Sequence, residues 1–401
     1  MPRDARLLFA TRALRGFADG LVSVLLASYL TGIGFSPFQV GAIVTGTLLG
    51  SAALTLGLGL FSHRLSRRRV LLAACALMLA TGLGFAGVTS FWPLLVVAIA
   101  GTLNPSSGDV SLFLPTEQAM LAEVTTGANR TLIFAYYNLA GTFAGAVGAL
   151  ASGGPATLSR ALDVPLLHAQ RLGFLLYGAT AIAAALLYRR LSGAVEAHAT
   201  QPARPLDKSR RIVIKLAALF SIDSTGGGFV VQSLLALWIF RRFHLSVATT
   251  AGIFFVAGLL AALSQLLSST LAARIGLVET MVFTHLPANL LLITAGLMPT
   301  APLAITFLLL RMALSSMDVP ARQSYVMSVV PPEERAAASS ATNVPRSLAS
   351  ALPPLIAGWM LERSSFGWPL ICGGALKVLY DLLLLAQFRK VRPLAEPPRP
   401  V

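Results

Sequence analysis

Two carboxylates, Asp19 and Asp223, each stand about twelve residues into a long apolar run, which at 1.5 Å per residue is about 18 Å deep and near the middle of a bilayer. An ionisable side chain there costs at least about 2.5 kcal/mol unless it is paired or faces water. Buried carboxyl groups in general titrate nearer neutrality than exposed ones, as reversible proton binding requires, so both are candidate proton or cation sites. The alternative for Asp19 is an ion pair with Arg15 one turn back, whereas Asp223 has only Lys215 at helical spacing. Two guanidinium groups, Arg311 and Arg346, lie equally deep in later apolar runs and stay charged even when buried. Each must either neutralise a carboxylate, such as Asp223 or Asp318, or bind an anionic substrate.

Further polar positions accompany them. Glu117 and Arg322 each precede a glutamine, Gln118 and Gln323, and their opposite charges suit a gate in which Glu117 meets Arg322 or Arg346, with local helix capping as the alternative. Asn138 and Asn343 could hydrogen-bond substrate or bridge helices. Asp109 follows the Asn104-Pro105-Ser106-Ser107-Gly108 break, and such breaks are tolerated where they line water. Gly226-Gly227-Gly228 reads as a hinge or a close-packing surface, and Lys377 with Asp381, four apart, as a structural ion pair.

The elements that must hold these groups are membrane helices. Of the 401 residues 55% are hydrophobic and 12% charged, against about 25% charged in a soluble domain. Runs long enough to cross about 30 Å of hydrocarbon fall near 8–31, 37–61, 70–89, 92–121, 130–152, 166–188, 212–240, 246–273, 278–297, 302–328, 335–361 and 367–388. The polar stretch 191–211 divides them into six and six. This predicts an N-terminal bundle over 1–190, a linker over 191–211, a C-terminal bundle over 212–390 and a tail over 391–401.

The net charge of +15 would suit nucleic-acid binding in a soluble protein, but here most Lys and Arg gather in alternate connections, on the side of both termini. Only Arg160, Arg171, Arg241, Arg242 and Arg363 fall on the opposite side. The asymmetry predicts a cell-membrane protein with both termini cytoplasmic and no nucleic-acid partner. Trp92, Trp238, Trp359 and Trp368 fall at predicted outer helix ends, as interfacial tryptophans do. Cys75 and Cys372 sit singly in apolar runs, the five histidines are scattered, and no phosphate-binding Gly-x-x-x-x-Gly-Lys loop occurs; a disulfide framework, a metal site, a cofactor and ATP hydrolysis are not expected.

The chain also repeats itself. Pro115, Gln118, Arg130 and Asn138 recur as Pro320, Gln323, Arg335 and Asn343 at a constant separation of 205, and Asp19 matches Asp223 at 204. The fold class that follows is an all-α membrane protein of twelve transmembrane helices in two pseudo-symmetric six-helix bundles. In this it resembles the major facilitator superfamily over nearly its whole length. That family's basic loop between helices two and three, Gly-x-x-x-Asp-Arg-x-Gly-Arg-Arg, is partly matched by Gly59, Arg64, Arg67 and Arg68, with His63 in place of the acid and Ser66 in place of the second glycine. A weaker copy, Ala273-Arg274-Ile275-Gly276, also lacks the acid. The helix-five antiporter signature is matched only by Gly141, Gly145 and Gly148.

The resemblance implies a monomeric secondary transporter that moves a small solute by alternating access, coupled to a proton or another cation across the lipid bilayer. Efflux by antiport is the first reading of direction, and uptake by symport of a small, even anionic, solute is the alternative. A membrane-embedded enzyme and a sensor without flux are the competing classes.

Overall fold

The computed structural model describes residues 2–61, 66–106, 113–124, 130–196, 206–207 and 209–389. Among these the chain forms seventeen α-helices and two short 3-10 turns. The first eight are α1 (Arg3–Gly32), α2 (Pro37–Phe61), α3 (Arg67–Gly87), α4 (Phe91–Ala100), α5 (Phe113–Val124), α6 (Arg130–Ala151), α7 (Gly154–Leu162) and α8 (Leu166–Arg189). There follow α9 (Arg210–Gly228), α10 (Gln232–Phe243), α11 (Val247–Ile275), α12 (Leu277–Leu297), α13 (Ala301–Ser315), α14 (Asp318–Ser328), α15 (Arg335–Ala351), α16 (Pro353–Arg363) and α17 (Trp368–Phe388).

Every predicted span is occupied by helix, and four of them are broken in two. The span near 92–121 stops at Gly101, where Pro105 lacks the N–H a helix needs; the span near 212–240 ends its first part at the glycine triplet. The span near 302–328 breaks at Ser316 and Met317, and the freed Met317 carbonyl is taken by the Ser268 hydroxyl at 2.6 Å. The span near 335–361 breaks before the Pro353-Pro354 pair. One helix was not expected: α7 starts at Gly154-Pro155, a dipeptide read as punctuation, because proline is well suited to the first turn. Ten helical stretches are long and apolar enough to cross a membrane. The stretch Arg335–Arg363 is not among them.

The described residues fall into two compact units. Unit 1 comprises 1–200, 231–259 and 354–365, and unit 2 comprises 201–230, 260–353 and 366–401. Within unit 1, α1 packs on α6 and α8, and α3 packs on α8; within unit 2, α9 packs on α15 and α17, and α12 packs on α17. The repeat seen in sequence is thus a repeat in packing. The α1–α6 contact explains the glycines of helix five: a Cβ on Gly16 would meet the Gly141 backbone, and one on Gly20 would meet that of Gly145. These glycines permit close backbone approach, which is how helices gain dispersion contacts in lipid, where no hydrophobic force drives them together.

Trp92, Trp359 and Trp368 are exposed, as interfacial residues should be. Trp238 is a correction: it is fully buried in α10, edge-on to Phe243.

Candidate functional site

In unit 1 the buried ionic centre is Glu117. It lies on α5, is wholly inaccessible, and accepts hydrogen bonds from Thr11 Oγ1 at 2.6 Å and from Arg15, Tyr137 and Tyr188. The donors come from α1, α6 and α8, so one carboxylate ties together four helices. Arg15 also lies over the Phe113 ring, 4.4 Å from its centroid. A carboxylate has about four lone-pair sites, and all are spoken for. Gating by Glu117 with Arg322 or Arg346 is therefore not the pairing formed: Glu117 is satisfied inside unit 1, and Arg322 inside unit 2.

Arg15 is drawn to Glu117, and the expected Arg15–Asp19 pair does not form. Asp19 is 8% exposed and accepts a long, 3.5 Å hydrogen bond from Asn104 Nδ2, with no cation at ion-pair distance among the described residues. The chain break after α4 positions Asn104, whose Oδ1 is fixed by the Ser106 N–H and hydroxyl at 3.2 and 2.8 Å. Asp109 lies outside the described residues.

Unit 2 holds a larger cluster. Asp223 on α9 binds Lys377 Nζ of α17 at 2.6 Å and Arg322 Nη1 of α14 at 3.1 Å. Arg322 reaches Asp318, one turn back, at 3.4 Å. His285 on α12 presents Nδ1 to Asp381 at 2.9 Å and Nε2 toward Asp223 at 3.7 Å, while Asn289 donates to Asp381 at 2.9 Å. All of these side chains are buried. The expected Lys377–Asp381 pair is thus replaced: both residues turn to partners on other helices, where the opposing charges and donors are closer than a flexible i, i+4 contact allows. His285 and Asn289 were missed, although a polar i, i+4 pair inside an otherwise apolar helix was a readable signal.

Beside this cluster α15 carries a polar stripe. Ser339, Asn343, Arg346 and Ser350 recur at helical spacing, and Asn343 is exposed while the others are half-buried. Arg346 Nε donates to Ser224 Oγ at 3.2 Å, its Nη1 donates to Asn343 Oδ1 at 3.2 Å, and Asn343 donates on to Ser339 at 3.3 Å. Exposed polar groups on a membrane helix need water, so this face suits a solvated cavity, and the same stripe keeps the stretch from reading as an apolar span. Arg311 on α13 is half-buried and touches Met312 Sδ at 3.3 Å. Asp223 and Asp318 act on it only from beyond ion-pair distance. Asn138 and Gln118 are half-buried, and Gln323 is exposed.

Of the basic loop, His63 and Arg64 lie outside the described residues, and Gly59 is in the last turn of α2. Arg67 and Arg68 open α3, where Glu196 from the linker caps the helix. Its carboxylate accepts the Ser66 hydroxyl at 2.8 Å and the backbone N–H groups of Arg67 and Arg68 at 2.9 and 3.1 Å. Burial works to raise the Glu196 carboxyl, but these hydrogen bonds and the Arg67 charge outweigh it and hold the group below the usual glutamate range. Arg67 further reaches Glu123 at 3.3 Å and the Val195 carbonyl at 3.1 Å.

Known proteins place this geometry in a family. Residues 8–354 match the profile described as Major Facilitator Superfamily. The chain is 28% identical over 424 positions to an uncharacterized membrane protein of Saccharomyces cerevisiae, YJR124C, covering 96% of this chain and 94% of that one. Its fold is similar to the xylose transporter XylE from E. coli in a partially occluded inward-open conformation, with a TM-score of 0.73 at 16% identity, covering 99% of this chain and 100% of XylE. It is also similar to the nucleoside transporter NupG, with a TM-score of 0.71 at 15% identity, covering 97% of this chain and 100% of NupG. Since the profile runs from α1 into α16 and the fold is that of solved transporters over its full length, the chain belongs to the Major Facilitator Superfamily and is a multi-pass secondary transporter of small solutes.

Proposed function

We propose that the protein is a proton-coupled transporter of the cell membrane, monomeric, with both termini in the cytoplasm and N- and C-terminal bundles joined by the 191–211 linker. The observation that carries this reading is Asp223, a buried carboxylate held by two cations from two other helices, with His285 beside it. Adding a proton to Asp223 weakens its hold on Lys377 and Arg322 together, which converts one protonation event into a change in packing between α9, α14 and α17. His285 stands between Asp223 and Asp381 and is suited to pass the proton between them. Asp19, at the matching repeat position, can gain or lose a proton without breaking an ion pair.

This arrangement favours symport over export by antiport. Protonation of Asp223 frees two basic side chains for substrate, so the proton and the solute occupy the protein together. In proteoliposomes, an inward-acid gradient should drive accumulation of a transported solute by the wild type. Asp223→Asn should keep solute exchange at equal pH while losing gradient-driven accumulation. Undiminished accumulation by that variant would remove Asp223 from coupling.

A further inference from the structure

The charges buried in unit 2 do not balance. Three carboxylates, Asp223, Asp318 and Asp381, stand deep in its helices, against four permanently or ordinarily cationic groups, Arg311, Arg322, Arg346 and Lys377. Two of these cations are engaged with Asp223, and Asp381 is engaged with His285 and Asn289. Arg311 has no carboxylate at ion-pair distance among the described residues, and its Nε is buried without a hydrogen-bond partner there. A guanidinium cannot lose its proton to escape this, and an excess cation inside a membrane needs an anion. Arg346 adds a second guanidinium, oriented by Ser224 and Asn343 on the polar face of α15. A fork of N–H donors of this kind is matched by the paired oxygens of a carboxylate or a phosphate.

We infer that the transported solute is a small organic anion, a carboxylate or a phosphate ester, and that Arg311 receives its charged group with Arg346 as the second donor. The inference deepens the transporter reading and rests on it, but it does not need the coupling to be by protons. It also gives the excess cation a purpose in the cycle: the loaded site is neutral, and the empty site retains an unbalanced charge.

The test is binding at fixed pH without a gradient, on the purified full-length protein, read as a rise in apparent melting temperature. The probes are monocarboxylates of graded size such as acetate and benzoate, inorganic phosphate with glycerol phosphate, and the uncharged benzamide and glycerol. At least one anion should stabilise the wild type while its neutral counterpart does not, and the series that responds separates carboxylate from phosphate. Arg311→Gln should weaken that binding by at least about tenfold, with Arg311→Lys intermediate, because lysine keeps the charge but loses the fork. A fold check by size-exclusion chromatography accompanies both variants. Stabilisation by neutral probes alone, stabilisation by no anion, or anion binding unchanged in folded Arg311→Gln would overturn the inference. If anion binding behaves as expected while accumulation ignores the pH gradient, proton coupling fails and the anion site stands.

Discussion

Glu117 and Arg322 occupy matching positions in the two repeats, and each is the buried ionic partner of the first helix of its half. Glu117 meets Arg15 of α1, and Arg322 meets Asp223 of α9. The sign of the pair is reversed between the halves, and the surroundings differ more. Glu117 is enclosed by hydroxyl donors and one guanidinium, so a single negative charge is matched by a single positive one with every oxygen satisfied. Asp223 shares its cations with Asp318, touches a histidine, and sits among more cations than carboxylates. A saturated pair has nothing to gain from moving, whereas a network with exchangeable partners can be reset by one proton. The first is built as a rivet and the second as a switch.

The contrast breaks most readily at the rivet. Glu117→Gln should cost about 3–5 kcal/mol of stability, measured by chemical or thermal denaturation, because Arg15 is left buried without its carboxylate. Adding Arg15→Gln should recover part of that loss, since the uncompensated charge is then gone. A Glu117→Gln protein as stable as wild type would end the distinction. Asp223→Asn should show the opposite profile: a smaller loss of stability, because Arg322 keeps Asp318, and gradient-driven transport down by at least about tenfold, or about 1.4 kcal/mol. Tyr188→Phe sharpens the comparison, removing one donor to a charged acceptor at about 1.5–3 kcal/mol without touching transport per folded molecule.

The smallest effect concerns the Glu196 cap of α3, away from both clusters. Its folded carboxyl titrates below the unfolded value, so its contribution is complete above the ordinary glutamate range and fades as pH falls through the depressed value. Glu196→Gln should lose about 0.5–1 kcal/mol at neutral pH and flatten that part of the acid melting profile. An unchanged acid profile in Glu196→Gln would show that the cap carries no linkage.

Much of this was legible without coordinates. Twelve helical spans, the repeat at 205 and the importance of Asp223, Glu117 and Arg322 all follow from hydropathy and spacing, since a charge in an apolar run must have a reason. The four helix breaks were visible only as Pro and Gly clusters, because whether a helix stops or merely bends depends on what receives the freed carbonyl, as Ser268 does for Met317. Tyr137 and Tyr188 were unreadable as ligands of Glu117. A tyrosine in a membrane helix looks the same whether its hydroxyl meets a carboxylate or the headgroups. His285 escaped notice because no other histidine lies near it in sequence, although its partners Asp381 and Asn289 were both present.

By itself, the sequence determined the solvent of this protein, the number of its spans, their repetition, and the short set of side chains that hydrocarbon would not tolerate alone. Tertiary structure decided how those side chains were matched. Lys377 passes over Asp381 on its own helix for Asp223, and Arg15 passes over Asp19 for Glu117. The reason is physical: at helix spacing a charge has one candidate on its own surface, but across a packed interface it can meet a carboxylate that brings additional donors with it. Only the folded chain brings such groups, often more than a hundred residues apart, to hydrogen-bonding distance.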